Sequence, residues 1–80
     1  MKGTRTINLV ARLLSEITEQ SVEAIGPETR LREDLDVDSL AVIELATLLT
    51  EETGKDFSED DFADVTTVSE IVQVVDMETS

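Results

Sequence analysis

The spacing of apolar residues is the feature that most constrains the fold of this chain. Near the amino terminus, apolar side chains recur at intervals of three and four residues, at Ile7, Val10, Leu14 and Ile17. This spacing puts them on one face of an α-helix, and it is not the alternation expected of a half-buried strand. We therefore predict an amphipathic first helix over about residues 6 to 20.

Start and stop signals predict three further helices. Asp38 can cap a second helix that runs to about Thr53, where Gly54 ends it. Ser58 offers the start of a short third helix, with Phe57 before it and Phe62 after it spaced as a hydrophobic staple. A capping-box pattern over residues 67–70 begins a fourth helix, which we expect to end near residue 76.

The predicted fold is all-α: a four-helix bundle with three longer helices and one short helix. Its first connection, residues 21–37, is long and contains Gly26-Pro27. Four apolar side chains in this loop are expected to anchor it to the core: Val22, Ile25, Leu31 and Leu35.

The length of 80 residues suits one small domain. We predict a single domain over residues 1–80, with a core over about residues 6 to 76. The starting Met1 and the short tails favour a free-standing protein. No apolar run approaches the roughly 18 to 20 residues of a membrane helix, and no signal-peptide core is present, so we expect a cytoplasmic protein without membrane association.

The composition argues against intrinsic catalysis. The chain contains neither histidine nor cysteine, so it cannot assemble a Ser-His-Asp or Cys-His nucleophile, a disulfide or a cysteine-based zinc site. We therefore expect a protein that is not an enzyme.

Negative charge is concentrated in the middle of the chain. The net charge is −13, and residues 33–64 hold twelve acidic side chains and one basic side chain. Such a surface repels nucleic acid and anionic lipid and attracts basic protein surfaces. We therefore predict basic protein partners and no nucleic-acid partner.

Ser39 occupies the first position of the predicted second helix, just after the capping Asp38. A residue at such a position is usually exposed, and the free amides and positive dipole of a helix start favour a phosphate group. Because the chain has no base to activate the hydroxyl, an outside enzyme would have to modify it. Ser39 is therefore interpreted as a substrate and not as a catalyst.

Four landmarks in the order Leu31-x-x-Asp34-Leu35, Asp38-Ser39-Leu40, Glu44-Leu45 and Thr66-Thr67-Val68 resemble those of acyl carrier proteins, over about residues 7 to 76. The resemblance implies that Ser39 receives 4'-phosphopantetheine from coenzyme A and that the thiol of this arm carries acyl groups as thioesters. It also implies a monomer whose partners are a phosphopantetheinyl transferase, acyltransferases or ligases, and synthases with basic docking patches.

The resemblance also implies which residues contact these partners. In the family, the residues matching Asp38 and Leu40 help to dock the transferase, and acids of the second helix contact basic patches, here Glu44, Glu51 and Glu52. The apolar arc of this helix is wider than a core face needs. We therefore predict Leu40 at the exposed rim, while Ile43 either joins it there or packs in the core.

Three positions depart from the family pattern. Asp36 stands where the family usually has a glycine, and we expect it to adopt the left-handed backbone conformation, which Asp tolerates better than most residues. Ala41 and Thr50 stand where fatty-acid carriers usually have acids. This difference favours polyketide or other specialised synthesis over fatty-acid synthesis, and a free-standing aminoacyl or peptidyl carrier remains an alternative.

Two other classes of function compete with this interpretation. Asp34, Asp36 and Asp38 match the first, third and fifth positions of an EF-hand loop, but Ser39 replaces the sixth-position glycine and Leu45 the twelfth-position glutamate. We therefore predict no specific metal site. An unmodified acidic helical module that binds other proteins is the second alternative.

Overall fold

Three α-helices make up most of the structure, which is a computed structural model that describes residues 4–79. These helices are α1 (Thr4–Thr18), α2 (Ser39–Thr53) and α3 (Val68–Thr79), and two short 3₁₀ turns cover Val22–Ala24 and Glu59–Phe62. The described residues contain no β-strand, so the all-α class is confirmed. Within residues 4–79, no helix combines the length and the apolar character needed to cross a bilayer.

The three helices pack around one apolar core. Each of them contributes side chains that are essentially inaccessible to solvent, such as Leu13 of α1, Leu49 of α2 and Ile71 of α3. Since the chain has no cysteine, its folding depends on this burial, at about 25 cal/mol for each Å² of apolar surface removed from water. The other large apolar side chains that are fully buried are Val10, Leu14, Leu45, Val68 and Val75.

The first helix is displaced by two residues from its predicted range, since it covers Thr4–Thr18 and not residues 6 to 20. It ends at Thr18, whose hydroxyl donates a hydrogen bond to the carbonyl of Leu14 at 2.7 Å. Glu19 then adopts a left-handed conformation with φ of 60°. This conformation cannot continue a right-handed helix, so the chain leaves α1 earlier than its apolar spacing suggested.

The predicted four-helix count is not confirmed, because the expected third helix is a single 3₁₀ turn over Glu59–Phe62. Phe57 and Phe62 are both buried, and their stacked ring centroids lie 5.9 Å apart, as the staple spacing indicated. One turn is enough to bury both rings. The carbonyl of Phe62 then accepts a hydrogen bond from the Val65 amide at 3.3 Å, in a turn that leads toward α3.

The ends of α2 and the start of α3 follow the predicted signals. Gly54 ends α2 with a left-handed φ of 74°, and its amide donates to the carbonyl of Thr50 at 2.9 Å. At the start of α3, the Glu70 carboxylate accepts hydrogen bonds from the amides of Thr66 and Thr67 at 2.9 and 3.1 Å. The helix then continues to Thr79, three residues beyond its predicted end.

The long connection between α1 and α2 is anchored by three of the four predicted side chains. Ile25, Leu31 and Leu35 are buried, but Val22 is 42% exposed. The prediction for Val22 was wrong because this residue begins the first 3₁₀ turn, Val22–Ala24, in which all residues face solvent.

Backbone hydrogen bonds attach the same connection to the first turn of α3. The Leu31 amide donates to the carbonyl of Thr66 at 2.9 Å, and the Val68 amide donates to the carbonyl of Thr29 at 3.0 Å. These two bonds flank an isolated antiparallel bridge between Arg30 and Thr67. The sequence pattern did not predict this pairing, which joins segments more than thirty residues apart.

We expect Leu49→Ala and Leu40→Ala to have very different effects on stability, although both residues belong to α2. Leu49 is 0% exposed and Leu40 is 71% exposed. The first substitution should lower the free energy of unfolding by about 2 to 5 kcal/mol, and the second by less than about 0.5 kcal/mol. Urea unfolding followed by circular dichroism measures both values, and similar losses for the two variants would contradict this packing.

We expect Glu70 to make stability depend on acid pH. Hydrogen bonds from the amides of Thr66 and then Thr67 lower the pKa of the Glu70 carboxyl below its ordinary value of 4.5. Its stabilising contribution is therefore fully present above about pH 4.5 and is lost as pH falls through the lower folded pKa.

Glu70→Gln should accordingly unfold more easily at pH 7 than the wild type, with a difference that shrinks toward pH 3. Thermal unfolding across this pH range measures the difference. Glu78→Gln, the same change at an exposed position of α3, is the control and should show a smaller effect. Equal pH profiles for the two variants would count against the Glu70 cap.

Candidate functional site

The predicted attachment residue, Ser39, is the first residue of α2 and is exposed. Its side chain makes no hydrogen bond to any other residue between positions 4 and 79. A hydroxyl of this kind is accessible to another enzyme, and no neighbour in this part of the chain activates it. The exposure predicted from the sequence is therefore confirmed.

The start of α2 is fixed by Asp38. This residue has an extended backbone, and its Oδ1 accepts a hydrogen bond from the Ala41 amide at 2.9 Å, as the capping prediction required. Its carbonyl accepts from the Val42 amide at 3.0 Å, which is the first bond of the helix ladder. The amides of Ser39 and Leu40 precede this bond, so the positive end of the helix lies at the Ser39 hydroxyl.

The segment before Ser39 turns sharply at Asp36. This residue has a φ of 56°, so it adopts the left-handed conformation expected at a position where the family usually has glycine. The turn allows Val37 to be buried, with its amide donating to the carbonyl of Leu31 at 2.9 Å. The burial of Val37 on one side of Asp38 leaves Ser39 exposed on the other.

Two of the three aspartates that suggested an EF-hand loop accept hydrogen bonds from backbone amides of the same chain. Asp34 Oδ2 accepts a hydrogen bond from the Arg30 amide at 2.8 Å, and Asp38 is occupied by its capping bond to Ala41. In the part of the chain that the structure describes, no three acidic side chains are grouped so that they could hold a metal ion.

A groove lies beside Ser39, between the start of α2 and the second 3₁₀ turn. It has a volume of about 220 Å³. Its apolar lining comes from Val42, Phe62 and Ala63, and Phe62 is buried. The charged residues that line it are Arg32, Glu59 and Asp60. Sequence reasoning missed the place of Arg32 in this groove, and the only available signal was a basic residue at the edge of the acidic segment.

The outer face of α2 combines exposed apolar side chains with acids. Leu40 is 71% exposed, as predicted, and Ile43 is 44% exposed, so Ile43 joins the rim and does not pack in the core. A shallow apolar depression of about 230 Å³ is lined by Ile43, Glu44, Thr47 and Leu48. An exposed apolar surface with neighbouring acids is suited to a partner that presents apolar and basic side chains.

The predicted acidic contacts on α2 are not equivalent. Glu44 and Glu51 are exposed, and neither forms an ion pair with the rest of residues 4–79. Glu52 instead accepts a hydrogen bond from Arg12 of α1 at 2.9 Å. The structure therefore leaves Glu44 and Glu51 available to a partner and engages Glu52 within the molecule.

The residues around Ser39 fit a phosphopantetheine arm. The hydroxyl is accessible, the helix start favours a phosphate, and an arginine and several apolar side chains line the neighbouring groove.

Comparisons with known proteins agree with this geometry. Residues 8–75 match the family model described as "Phosphopantetheine attachment site". The "Acyl carrier protein" of Thermobifida fusca is 27% identical over 66 residues, which is 82% of this chain and 84% of the relative. "Acyl carrier protein 2" of Ralstonia nicotianae is 29% identical over 75 residues, or 94% of this chain and 93% of the relative.

A third relative is longer than this chain. The "Meromycolate extension acyl carrier protein" of Mycobacterium leprae is 30% identical over 66 residues, and the match spans 82% of this chain but only 57% of the relative. The family model covers all of α2 and most of α1 and α3, and its defining cofactor is the 4'-phosphopantetheine expected from the sequence. The chain therefore belongs to the acyl carrier protein family, whose members carry a phosphopantetheine attachment site.

Proposed function

We propose that Ser39 is the residue that receives 4'-phosphopantetheine and that the loaded protein presents acyl groups, held as thioesters, to partner enzymes. The observation that carries this proposal is the exposed Ser39 hydroxyl, free of internal hydrogen bonds, at the first position of α2. The position lies within the residues matched by the family model.

The residues of the chain position the arm and do not perform chemistry. Asp38 fixes the helix start through its bond to the Ala41 amide, so the backbone position of Ser39 is defined. When bound, the arm supplies the thiol that the cysteine-free chain lacks. The chain contains no histidine, and we propose that it is a substrate of a phosphopantetheinyl transferase and not itself an enzyme.

We propose that the partners belong to polyketide synthesis, with fatty-acid or another specialised synthesis as the alternative pathway. The proposal is supported by the small number of acids on α2. Ala41 is half-buried, and Thr50 is half-buried with its Oγ1 accepting a hydrogen bond from the Phe57 amide at 2.9 Å. Neither position contributes to an exposed acidic stripe.

The proposed docking face consists of Asp38, Leu40, Glu44, Glu51 and Glu52. Leu40 supplies its apolar contact, and Glu44 and Glu51, seven residues apart, supply charges on one side of α2. Glu52 can take part only if its ion pair with Arg12 opens. Such exposed pairs are worth only about 0 to 1 kcal/mol, so a basic partner surface can replace Arg12.

We further propose that residues 1–80 act as one carrier domain, monomeric and cytoplasmic. The one-domain part of this proposal is supported by the apolar core of residues 4–79, whose buried side chains extend from Leu9 to Val75. Sedimentation at equilibrium tests the monomer proposal.

Loading with coenzyme A tests the attachment site. The protein is incubated with coenzyme A and a broad-specificity phosphopantetheinyl transferase, and its intact mass is measured. Wild type and Ser58→Ala, which removes another exposed serine at a helical start, should each gain one phosphopantetheine group. Ser39→Ala should gain none. An unmodified wild type would instead favour an acidic interaction module without an arm.

The contribution of Glu44 is tested with the same transferase. Because its carboxylate is exposed and unpaired within residues 4–79, Glu44→Gln should raise the apparent KM for the apo protein about 1.5- to 5-fold at low salt. The difference should shrink at high salt. Glu16→Gln makes the same change in charge on the exposed surface of α1 and should leave KM nearly unchanged. Equal effects would indicate attraction by net charge and not by a docking face.

A further inference from the structure

Arg32 and Ser39 line the same groove, although seven residues separate them in the sequence. The Arg32 side chain is exposed. Within residues 4–79 its guanidinium forms neither an ion pair nor a hydrogen bond. By contrast, Arg12 is paired with Glu52 and Arg30 with Glu33. A cation with no carboxylate partner is therefore present beside the predicted attachment residue.

The carboxylates nearest to Arg32 in the sequence are already engaged. Glu33 Oε2 contacts the Arg30 guanidinium at 2.6 Å, and Asp34 Oδ2 accepts from the Arg30 amide at 2.8 Å. Arg30 thus binds both acids that follow Arg32 in the chain. Because of this, Arg32 stays available in a segment where negative charges greatly outnumber positive ones.

Loading of Ser39 would place a new negative charge at this point. The neutral hydroxyl becomes a phosphodiester, and the neighbouring Asp38, Glu59 and Asp60 repel it. The positive end of the α2 dipole attracts the phosphodiester and so reduces the net repulsion. A guanidinium also attracts it, and its planar set of donors matches two phosphate oxygens.

We infer that Arg32 binds the phosphodiester of the arm on Ser39. The inference rests on the proposed attachment at Ser39 and adds a residue that binds the phosphate, in the groove that both side chains line.

The test compares Arg32→Gln with Arg5→Gln. Both substitutions remove one positive charge from an exposed arginine that forms no ion pair within residues 4–79, but only residue 32 lines the groove with Ser39. Apo and loaded forms of each variant and of the wild type are prepared at low salt, and intact mass confirms the loading. The melting temperature of each form and the ³¹P chemical shift of each loaded form are then measured.

Loading raises the melting temperature of each protein relative to its own apo form, and we expect this increase to be about 1 to 5 °C larger in wild type and Arg5→Gln than in Arg32→Gln. The ³¹P resonance should also shift in Arg32→Gln and stay near the wild-type position in Arg5→Gln. If both variants load and behave alike, Arg32 does not bind the phosphate, while the attachment at Ser39 stands. If the wild type gains no mass, the proposed function fails and this inference fails with it.

Discussion

Backbone pairing between the long connection and the first turn of α3 is the constraint on which the site depends. The amide of Leu31 bonds to the carbonyl of Thr66, and the carbonyl of Leu31 accepts from the amide of Val37. With Leu31 itself buried, these bonds fix both ends of the segment that precedes α2. The position of Asp38 relative to α3 is thereby set by contacts between segments more than thirty residues apart.

A carrier of this kind needs a well-defined point of attachment and no reactivity of its own. The left-handed turn at Asp36 and the burial of Val37 direct the chain so that Ser39 emerges into solvent. The capping bond of Asp38 keeps the helix start ordered without using the Ser39 hydroxyl. The same few residues therefore combine a defined backbone with an accessible side chain at the proposed attachment point.

The charged residues differ in whether they are paired, which the net charge of −13 does not show. Arg12 forms an ion pair with Glu52, and Arg30 forms one with Glu33. Glu44 and Glu51 remain open on α2, while Arg32 remains open beside Ser39. The proposed docking face on α2 is therefore acidic, whereas the proposed contact with the phosphodiester is a cation.

Local patterns in the sequence determined the helical class, the limits of α2 at Asp38 and Gly54, and the left-handed backbone of Asp36. These features depend on periodicity, capping and backbone sterics within a few residues. Tertiary contacts alone decided that the segment after Ser58 forms one 3₁₀ turn, that Val22 faces solvent, and that Arg32 shares a groove with Ser39. Each of these outcomes depends on how distant segments pack, which the spacing of neighbouring residues does not encode.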